Sequence, residues 1–443
     1  ESVELVALFA PEHGLDGKAA AGQYVESYTH EKLGIPVYSL YGPTRMPTEE
    51  MLRGLDVLVY DIQDIGARTY TYISTLNYCM VAAQKYGKAI IVLDRPNPLG
   101  GTIVEGPVLE DDFKSFVGVD NLPMAHGMTM GELARYFNRN IGADLTVAPM
   151  EGYKRTMLFQ DTGLTWVQTS PNIPDLDSVF GYMATGLGEG TGVFQADKFK
   201  WIGGKGLDSG KYAQLLNRAG LPGVTFIPEQ RGGAGGVRLK ITDYHTFNPA
   251  RTGIYALAYA CSIGDFIIPK SSGNTKVMFD KVMGTDKIGR YLEQGLSPQQ
   301  IEGNYAPALE SFKAEREKYL IRDYGPGAQE IMVTVKGKAV LFDSAPYIDS
   351  HNRVMVPLRA IVEALGAKVE WSQQTKTITV TAQDNKVIFT VDSYSAEING
   401  ERREMDTTPV IKNNRTMVPA RYIGEYLGAV VRWDASLRTV TID

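Results

Sequence analysis

The first 150 residues alternate between short apolar runs and longer segments with helical periodicity. The strand-like runs are VELVALF, IPVYSLY, DVLVYDI and AIIVLD, and the helix-like segments include TEEMLRGL, YTYISTLNYCMVAAQKYG and TMGELARYFNRN. Short runs that are apolar throughout are typical of strands buried on both faces, and their alternation with helices is typical of βαβ units. We therefore predict a parallel α/β lobe over residues 1–150, and we expect a further segment upstream of residue 1.

Three of these apolar runs end at a carboxylate. Glu12 follows the first run, Asp61 and Asp64 follow the third, and Asp94 follows the fourth. Open α/β sheets bind their ligands at the carboxyl ends of the strands, and a carboxylate is costly to desolvate in a core. The pattern therefore predicts a polar site on one rim of the sheet.

The pattern changes after residue 150. Residues 151–326 are richer in loops such as SPNIPDLDS and GLGEGTG, and helical stretches lie between them, which indicates a smaller α/β or α+β lobe. The sequence YGPGAQ then has the composition of a linker.

Residues 330–443 contain an internal repeat. Residues 352–379 match residues 414–441 at a spacing of 62, with 15 of 28 positions identical. Each copy has Val-Pro before an amphipathic helix, Leu-Gly-Ala at the helix end and alternating strands behind it. We predict a duplicated α+β module. Because the repeated positions are mainly core and capping residues, we expect a spacer or binding unit and not a catalyst.

Composition and motif content exclude several classes of protein. The 45 basic and 51 acidic residues leave a formal charge of −6 without a basic block, which disfavours nucleic-acid binding. No apolar run approaches the roughly 18 residues that span a bilayer. GLGEGTG has neither the register nor the preceding strand of a nucleotide-binding loop, which disfavours a nucleotide-dependent enzyme. Cys79 and Cys261 are interpreted as free buried thiols, the histidines have no metal-ligand spacing, and we predict neither metal nor cofactor.

Two turns near the predicted rim carry candidate chemistry. Glu12 and His13 stand in a Pro-Glu-His-Gly turn, where the glutamate can exchange a proton and the histidine can bind a hydroxyl; alternatively, Glu12 caps the following segment. The string DIQDIGARTYTY combines carboxylates, an amide, a guanidinium and phenols, as a carbohydrate site does. In the alternative interpretation, Asp61 or Asp64 forms a local ion pair with Arg68.

Later turns add further candidates. Asp94 and Arg95 lie in a loop stiffened by two prolines, where they either line the site or tie the loop to its neighbour. Glu105, in Val-Glu-Gly-Pro, is a candidate partner for Glu12, and burial would keep its pKa high enough for acid catalysis. Thr129 and Glu132 fit a capping box, so we predict a structural role for Glu132 and leave His126 for the site.

These blocks also carry a family resemblance. PEHG, VYSLYGPTR, DIQDIGARTYTYIST, LDRPNPLGG, VEGPVL, SFVGV and AHGMTMGELA resemble the bacterial exo-β-N-acetylmuramidases, a glycoside hydrolase family long described only as a domain of unknown function. The resemblance covers roughly residues 1–325. It implies a Rossmann-like first lobe, a smaller second lobe, and release of N-acetylmuramic acid from the non-reducing ends of peptidoglycan fragments. Asp16 departs from the family pattern, so a non-catalytic cell-wall glycan-binding protein is the alternative.

The repeated tail resembles the copper amine oxidase amino-terminal-like domain, although it carries no copper ligands. This combination implies a bacterial protein that is secreted or associated with the cell wall, and contact between the tail and the wall.

The resemblance implies roles for the candidate residues. Glycosidases typically use two carboxyl groups, about 5 Å apart for retention and about 6.5–9.5 Å apart for inversion. We expect Glu12 and Glu105 to fill these roles, and a mechanism in which the 2-acetamido group acts as nucleophile stays open. Arg68 or Arg95 would pair with the lactyl carboxylate. The expected binding residues are His13, Asp61, Asp64, Arg68, Tyr70, Asp94, Arg95 and His126.

Overall fold

The computed structural model describes residues 3–325, 331–340, 342, 344, 346–349, 351, 353–382, 385–412, 415–434 and 439–443. The chain divides into two units, Glu1–Gly325 and Pro326–Asp443, each of which is described by itself. None of the helices in these ranges is long and apolar enough to cross a membrane.

Short strands and three helices form the first lobe. The strands are β1 Leu8–Ala10, β2 Tyr28–Thr29, β3 Pro36–Ser39, β4 Val57–Tyr60, β5 Ala89–Leu93 and β6 Leu145–Ala148. The helices are α1 Glu49–Leu52, α2 Tyr72–Lys85 and α3 Met130–Ile141.

The pairing of these strands confirms the predicted parallel α/β lobe, with three differences. β1 pairs with β3 in parallel, and β4, β5 and β6 pair in parallel, whereas β2 is antiparallel to β3. Within the described ranges, β1 and β4 are not hydrogen-bonded to each other, so the lobe contains two three-stranded sheets where one continuous sheet was expected. The first apolar run also enters a strand only at Leu8.

Helix α3 begins at the predicted capping box. The hydroxyl of Thr129 accepts a hydrogen bond from the amide of Glu132, and the carboxylate of Glu132 accepts one from the amide of Thr129. Glu132 does more than cap, because Arg155 donates to both of its oxygens, at 2.5 and 2.9 Å, and the amide of Ile321 donates at 2.8 Å. Both charged side chains are fully buried. Glu132 thus holds three distant segments together.

An antiparallel sheet and six helices form the second lobe. The strands β7 Val193–Ala196, β8 Trp201–Lys205, β9 Val224–Arg231 and β10 Ala234–Ile241 lie in the order β7-β8-β10-β9. Buried Trp201 packs against Gly203 and Gly236, where any Cβ would come within 2.4 Å of the indole. The helices are α4 Leu176–Thr185, α5 Ser209–Arg218, α6 Pro249–Ile263, α7 Met278–Met283, α8 Lys287–Glu293 and α9 Pro298–Arg316.

The second unit confirms the predicted duplicated α+β module. Its helices are α10 Leu358–Leu365 and α11 Ala420–Tyr426, and left-handed glycines follow both, as the repeated Leu-Gly-Ala predicts. The strands are β11 Met332–Val335, β12 Lys338–Ala339, β13 Tyr347–Ile348, β14 Val354–Pro357, β15 Lys368–Ser372, β16 Thr377–Ala382, β17 Asn385–Thr390, β18 Ser395–Ile398, β19 Glu401–Glu404, β20 Val410–Lys412, β21 Arg415–Pro419, β22 Val431–Asp434 and β23 Thr439–Ile442.

The two repeats meet at equivalent residues. Strand β14 pairs antiparallel with β21, and Val356 lies opposite Val418, its counterpart 62 positions later. Each repeat therefore presents the same strand to the other, and both helices contribute to one apolar core.

Candidate active site

Glu12 lies in the turn that follows β1, and its side chain is anchored at both oxygens. One oxygen accepts a hydrogen bond from the amide of Gly22 at 2.9 Å, and the other accepts one from the hydroxyl of Thr71 at 2.6 Å. Only 8% of the residue is exposed. The Tyr41 hydroxyl lies beside this carboxylate, and burial, followed by the Glu12 charge, raises the pKa of Tyr41. The carboxylate of Glu12 is therefore held in a fixed position at the strand ends of the first lobe, where it can accept a proton or a hydrogen bond.

His13 holds the turn in an unusual backbone conformation. Its φ of +72° lies in the left-handed region, which is uncommon for a residue with a side chain. Its Nδ1 donates to the carbonyl oxygen of Ala19 at 2.9 Å, which leaves Nε2 as an acceptor, and its ring stacks on Tyr70 at 6.3 Å. His13 thus lies next to Glu12, as the sequence requires, and stabilises the turn that carries it.

Tyr70 belongs to an aromatic cluster with Tyr72 and Tyr182. The ring centroids of Tyr70 lie 4.9 Å from Tyr72 and 5.9 Å from Tyr182. The hydroxyl of Tyr70 donates to the side chain of Thr169, and burial raises the pKa of Tyr70 well above its ordinary value. The phenol is already satisfied inside the protein, so we assign Tyr70 to support of His13 and not to a sugar hydroxyl.

Asp64 and His126 form a buried pair behind the rim. Nδ1 of His126 accepts from the amide of Met128, so the ring proton is on Nε2, which lies 3.8 Å from Asp64. Asp64 Oδ1 and His126 Nε2 are buried without a hydrogen-bond partner in the described part of the chain. Buried polar atoms of this kind commonly bind an ordered water. The pair therefore suits a supporting role more than direct contact with a ligand.

Asp61 pairs with Arg95 at the exposed edge of the rim. The guanidinium Nε of Arg95 lies 2.6 Å from Asp61 Oδ1, and both side chains are accessible. Neither Asp61 nor Asp64 forms the predicted ion pair with Arg68 among the described residues. An exposed ion pair contributes little stability, which leaves Asp61 and Arg95 available to a polar ligand.

The expectation that Arg68 binds a ligand carboxylate is not supported. Arg68 is fully buried, and its guanidinium donates to the carbonyl oxygens of Pro107, Leu122 and Val282 at 2.5–2.8 Å. Burial lowers the pKa of Arg68 to about 9. Its role is to tie three loops together from within the core.

Asp94 has the loop-fixing role that the sequence left as an alternative. Its carboxylate accepts hydrogen bonds from the amides of Arg95 and Gly131 and from the hydroxyls of Thr129 and Tyr324. These four donors occupy the side chain, so it has little capacity for a ligand. It joins the end of β5 to the start of α3.

Asp94 also makes stability depend on pH. Burial raises the pKa of Asp94 to about 6, against its own hydrogen bonds. The folded protein therefore binds this proton more tightly than the unfolded chain, so the contribution to stability is complete below about pH 4 and is lost as pH rises through about 6. We expect a loss on the order of 2 kcal/mol over this interval, absent in Asp94→Asn. Urea unfolding at a series of pH values measures how the free energy of unfolding changes with pH in the wild type and in Asp94→Asn. Equal slopes for the two proteins would contradict this expectation.

Glu105 lies in a different cluster of side chains. Its carboxylate accepts hydrogen bonds from the amide of Gly106 and the hydroxyl of Tyr305, and Asn248 lies 3.4 Å away. Burial, and then the charge of Glu302, raises the pKa of Glu105. Among the described residues, Glu12 and Glu105 share no hydrogen-bond partner. The raised pKa suits a proton donor, and the pairing of Glu105 with Glu12 stays a prediction.

Tyr41 and Arg45 belong to the neighbourhood of Glu12 and were missed. The exposed guanidinium of Arg45 lies 4.8 Å from the ring centre of Tyr41 and 4.4 Å from that of Phe116. These residues follow β3, which pairs directly with β1. The sequence offered a signal, since the rule that ligands bind at strand ends applies to β3 as well, but that strand does not end in a carboxylate.

No metal site emerges from these residues. In the described ranges, no group of three or more His, Cys, Asp or Glu side chains is arranged to hold a metal ion. The C-terminal unit has a single histidine, His351, and no cysteine. It therefore offers one imidazole and no thiolate among the donors that copper prefers.

Comparison with known proteins identifies the family. The family model described as exo-β-N-acetylmuramidase NamZ, N-terminal, matches residues 1–177, and the corresponding C-terminal model matches residues 180–321. The peptidoglycan β-N-acetylmuramidase NamZ of Bacillus subtilis (strain 168) is 44% identical over 334 residues, which cover 72% of this chain and 80% of that protein. The chain belongs to the exo-β-N-acetylmuramidase family.

Solved structures agree with membership of the exo-β-N-acetylmuramidase family. A DUF1343 family protein from Bacteroides fragilis has a TM-score of 0.64 and 35% identity, and a second has 0.51 and 28%. Each match covers 72% of this chain and 86% of the other. The copper amine oxidase N-terminal domain model matches residues 334–442. This exo-β-N-acetylmuramidase family member therefore carries an additional C-terminal domain.

Proposed function

We propose that this chain is an exo-acting glycoside hydrolase that removes N-acetylmuramic acid from the non-reducing ends of peptidoglycan fragments. The observation that carries the proposal is the 44% identity to the Bacillus peptidoglycan β-N-acetylmuramidase, which extends over 334 residues. The anchored carboxylate of Glu12 supports it, because a glycosidase needs a carboxyl group held in place at the scissile bond.

Glu12 is the residue to which we assign the central role in this chemistry. The Gly22 amide and the Thr71 hydroxyl hold its two oxygens, so little reorganisation is needed before reaction. Such a group can transfer a proton, attack the anomeric carbon, or orient the 2-acetamido group. Glu105 is the second carboxyl group of the proposal, supported by its raised pKa.

Arg45 is our candidate for recognition of the lactyl carboxylate. This carboxylate distinguishes N-acetylmuramic acid from N-acetylglucosamine, so it is the natural point of discrimination. Arg68 is buried and Arg95 is paired with Asp61, whereas Arg45 is exposed, lies near Glu12 through Tyr41, and forms no ion pair among the described residues. Its planar fork can bind a carboxylate through two hydrogen bonds.

Replacement of Arg45 should therefore change specificity more than turnover. A hydrogen bond between charged groups contributes about 1.5–3 kcal/mol to binding. We therefore expect Arg45→Gln to lower kcat/KM for a muramic acid glycoside about 10- to 100-fold. Hydrolysis of the matching N-acetylglucosaminide, which lacks the lactyl group, should not change. Exposed Arg53→Gln is the matched control. Equal losses on both substrates would remove Arg45 from the proposal.

Release of sugar tests the proposed function directly. The protein is incubated with a chromogenic muramic acid glycoside and with purified peptidoglycan fragments, and released N-acetylmuramic acid is measured by mass spectrometry. Release of the free monosaccharide from fragment ends supports the exo-acting hydrolase. Tight binding of the fragments without any release would favour the non-catalytic cell-wall glycan-binding protein.

We further infer that the protein is secreted or cell-wall associated, takes part in cell wall recycling, and contacts the wall through its C-terminal domain. Two tryptophans at equivalent positions of the repeats, Trp371 and Trp433, support wall contact, since they are 37% and 40% exposed and sugar rings stack on such faces. Fractionation of a producing culture checks the location; protein confined to the cytoplasm would contradict it.

A further inference from the structure

The turn between β7 and β8 contains three consecutive residues in the left-handed backbone region. Asp197, Lys198 and Phe199 have φ angles of +54°, +55° and +67°. A side chain makes this conformation unfavourable, and residues other than glycine normally adopt it one at a time. Such residues persist only where the surrounding structure holds them, and they are frequent at functional sites. We call residues 197–199 the strained turn, and its length indicates that the position of one of its side chains matters.

Polar contacts hold the strained turn at both ends. The carboxylate of Asp197 accepts hydrogen bonds from the guanidinium groups of Arg238 on β10 at 2.8 Å and of Arg231 on β9 at 3.3 Å. At the other end, the ammonium group of Lys200 lies 2.7 Å from the carboxylate of Asp175, the residue that caps α4. The sheet of the second lobe and helix α4 therefore both fix the strained turn.

The strained turn places Phe199 against helix α4 at two glycines. A Cβ on Gly181 would come within 2.1 Å of the carbonyl oxygen of Phe199, and a Cβ on Gly186 would come within 3.3 Å of its ring. The hydroxyl of Thr185 donates to the same carbonyl oxygen at 3.2 Å. The ring of Tyr182, on the same helix, lies 4.9 Å from that of Phe199 between centroids. The backbone of the strained turn thus sets the contact between these two rings.

Tyr182 continues this contact to the turn that holds Glu12 and His13. Its ring lies edge-on to Tyr70, with centroids 5.9 Å apart, and Tyr70 stacks on His13 at 6.3 Å. The hydroxyl of Thr69 donates to the hydroxyl of Tyr182 at 3.3 Å. Burial raises the pKa of Tyr182 to about 12, and the charge of Glu12 adds to this rise. These rings form one aromatic row, which consists of Phe199, Tyr182, Tyr70 and His13.

We propose that Phe199 is a positioning residue for Glu12 and that it acts through the aromatic row. The left-handed backbone of His13 is itself unfavourable, so its turn needs support from outside, and the row supplies it from the second lobe. A catalytic group displaced by about 1 Å can lose about 100-fold in rate. This role rests on the proposed hydrolase function, because the position of Glu12 matters only for that reaction. The packing of the aromatic row does not rest on it.

Phe199→Gly removes the ring and relieves the backbone strain at the same position. Glycine adopts left-handed angles freely, so the strained turn should persist. We expect kcat for a muramic acid glycoside to fall at least about 10-fold with little change in KM, because Glu12 is assigned to the reaction and not to binding. A loss that appears only in KM would overturn the proposal.

Lys198→Gly is the matched control for Phe199→Gly. Lys198 is exposed and has nearly the same backbone conformation, but its side chain is not part of the aromatic row. The substitution should leave kcat unchanged and change the melting temperature by no more than about 2 °C. Equal effects of the two glycine substitutions on kcat would overturn the role of the ring.

A double substitution tests the route through Tyr182. If Phe199 acts through Tyr182, then Phe199→Gly should cause no further loss of kcat in a protein that already carries Tyr182→Leu, because the two residues belong to one network. Losses in kcat that multiply independently would show that Phe199 does not act through the aromatic row, and would overturn the proposal.

Hydrogen exchange separates a failure of this proposal from a failure of the proposed function. The amide of Ala19 donates to the carbonyl oxygen of His13, and the amide of Gly22 donates to Glu12. In Phe199→Gly these two amides should exchange faster, while those of β5 keep their wild-type rates. Unchanged exchange at both amides, or faster exchange throughout the lobe, would overturn the positioning role. A wild-type protein that releases no sugar would refute only the proposed function, and the exchange rates would still decide whether Phe199 supports the turn of Glu12.

Discussion

Glu12→Gln should reduce hydrolysis of a muramic acid glycoside by a factor of at least about 100, with little change in substrate binding. Glutamine has nearly the same shape as glutamate and can still accept a hydrogen bond from Thr71 or Gly22, so the turn should persist. It can neither carry a proton nor act as a nucleophile. The loss should therefore appear in kcat and not in KM.

The control for Glu12 is Glu26→Gln, an isosteric change at an exposed position of the same lobe. It should leave kcat and the melting temperature unchanged. If Glu12→Gln retains near-normal turnover while its melting temperature matches that of the wild type, Glu12 is not a catalytic residue. If kcat and the melting temperature fall together, the loss is one of folding, and the assignment of Glu12 fails this test.

The largest effect on stability is expected at Glu132. Glu132→Gln leaves the guanidinium of Arg155 fully buried without a counter-charge, and breaking a buried pair from one side costs about 3–5 kcal/mol. The same carboxylate also accepts from the amides of Thr129 and Ile321. We expect the melting temperature of the first unit to fall by about 10 °C, as measured by calorimetry.

An exposed ion pair provides the comparison for Glu132. Glu315 lies within hydrogen-bonding distance of Lys318 on the surface, and Glu315→Gln should change stability by less than about 1 kcal/mol. A similar cost for both substitutions would show that the Glu132–Arg155 contact does not act as a buried pair.

The carboxylates that follow strands show how much of the candidate site the sequence pattern could predict. Glu12, Asp61, Asp64 and Asp94 all follow strands, and the charges of Glu12 and Asp64 reach the same tyrosine, Tyr72. The rule about strand ends therefore located the rim. It could not separate an anchored acceptor such as Glu12 from a loop-fixing carboxylate such as Asp94, because that difference depends on the hydrogen-bond donors brought by distant segments.

Arg68 and Arg45 show that the exposure of an arginine side chain also could not be predicted from the local sequence. Arg68 lies in a polar string beside two carboxylates, yet its partners are carbonyl oxygens 39, 54 and 214 positions away in the chain. Arg45 follows a strand that does not end in a carboxylate, and it is exposed beside Tyr41. Local composition drew attention to Arg68, which is buried, and not to Arg45, which is exposed, because long-range packing decides which guanidinium reaches solvent.

The internal repeat was the most predictable part of the fold, because its helix-ending glycines and alternating strands are local signals. Its pairing has a further consequence. Val356 faces Val418, its counterpart in the other repeat. The residue before Val356 faces the counterpart of the residue after it, and the reverse also holds, as at the two-fold axis of a symmetric dimer. The C-terminal unit is thus a dimer encoded in one polypeptide. Unlike in a true homodimer, the sequence of one repeat can diverge while the other repeat retains its surface. The two repeats also cannot dissociate on dilution, because they belong to one chain.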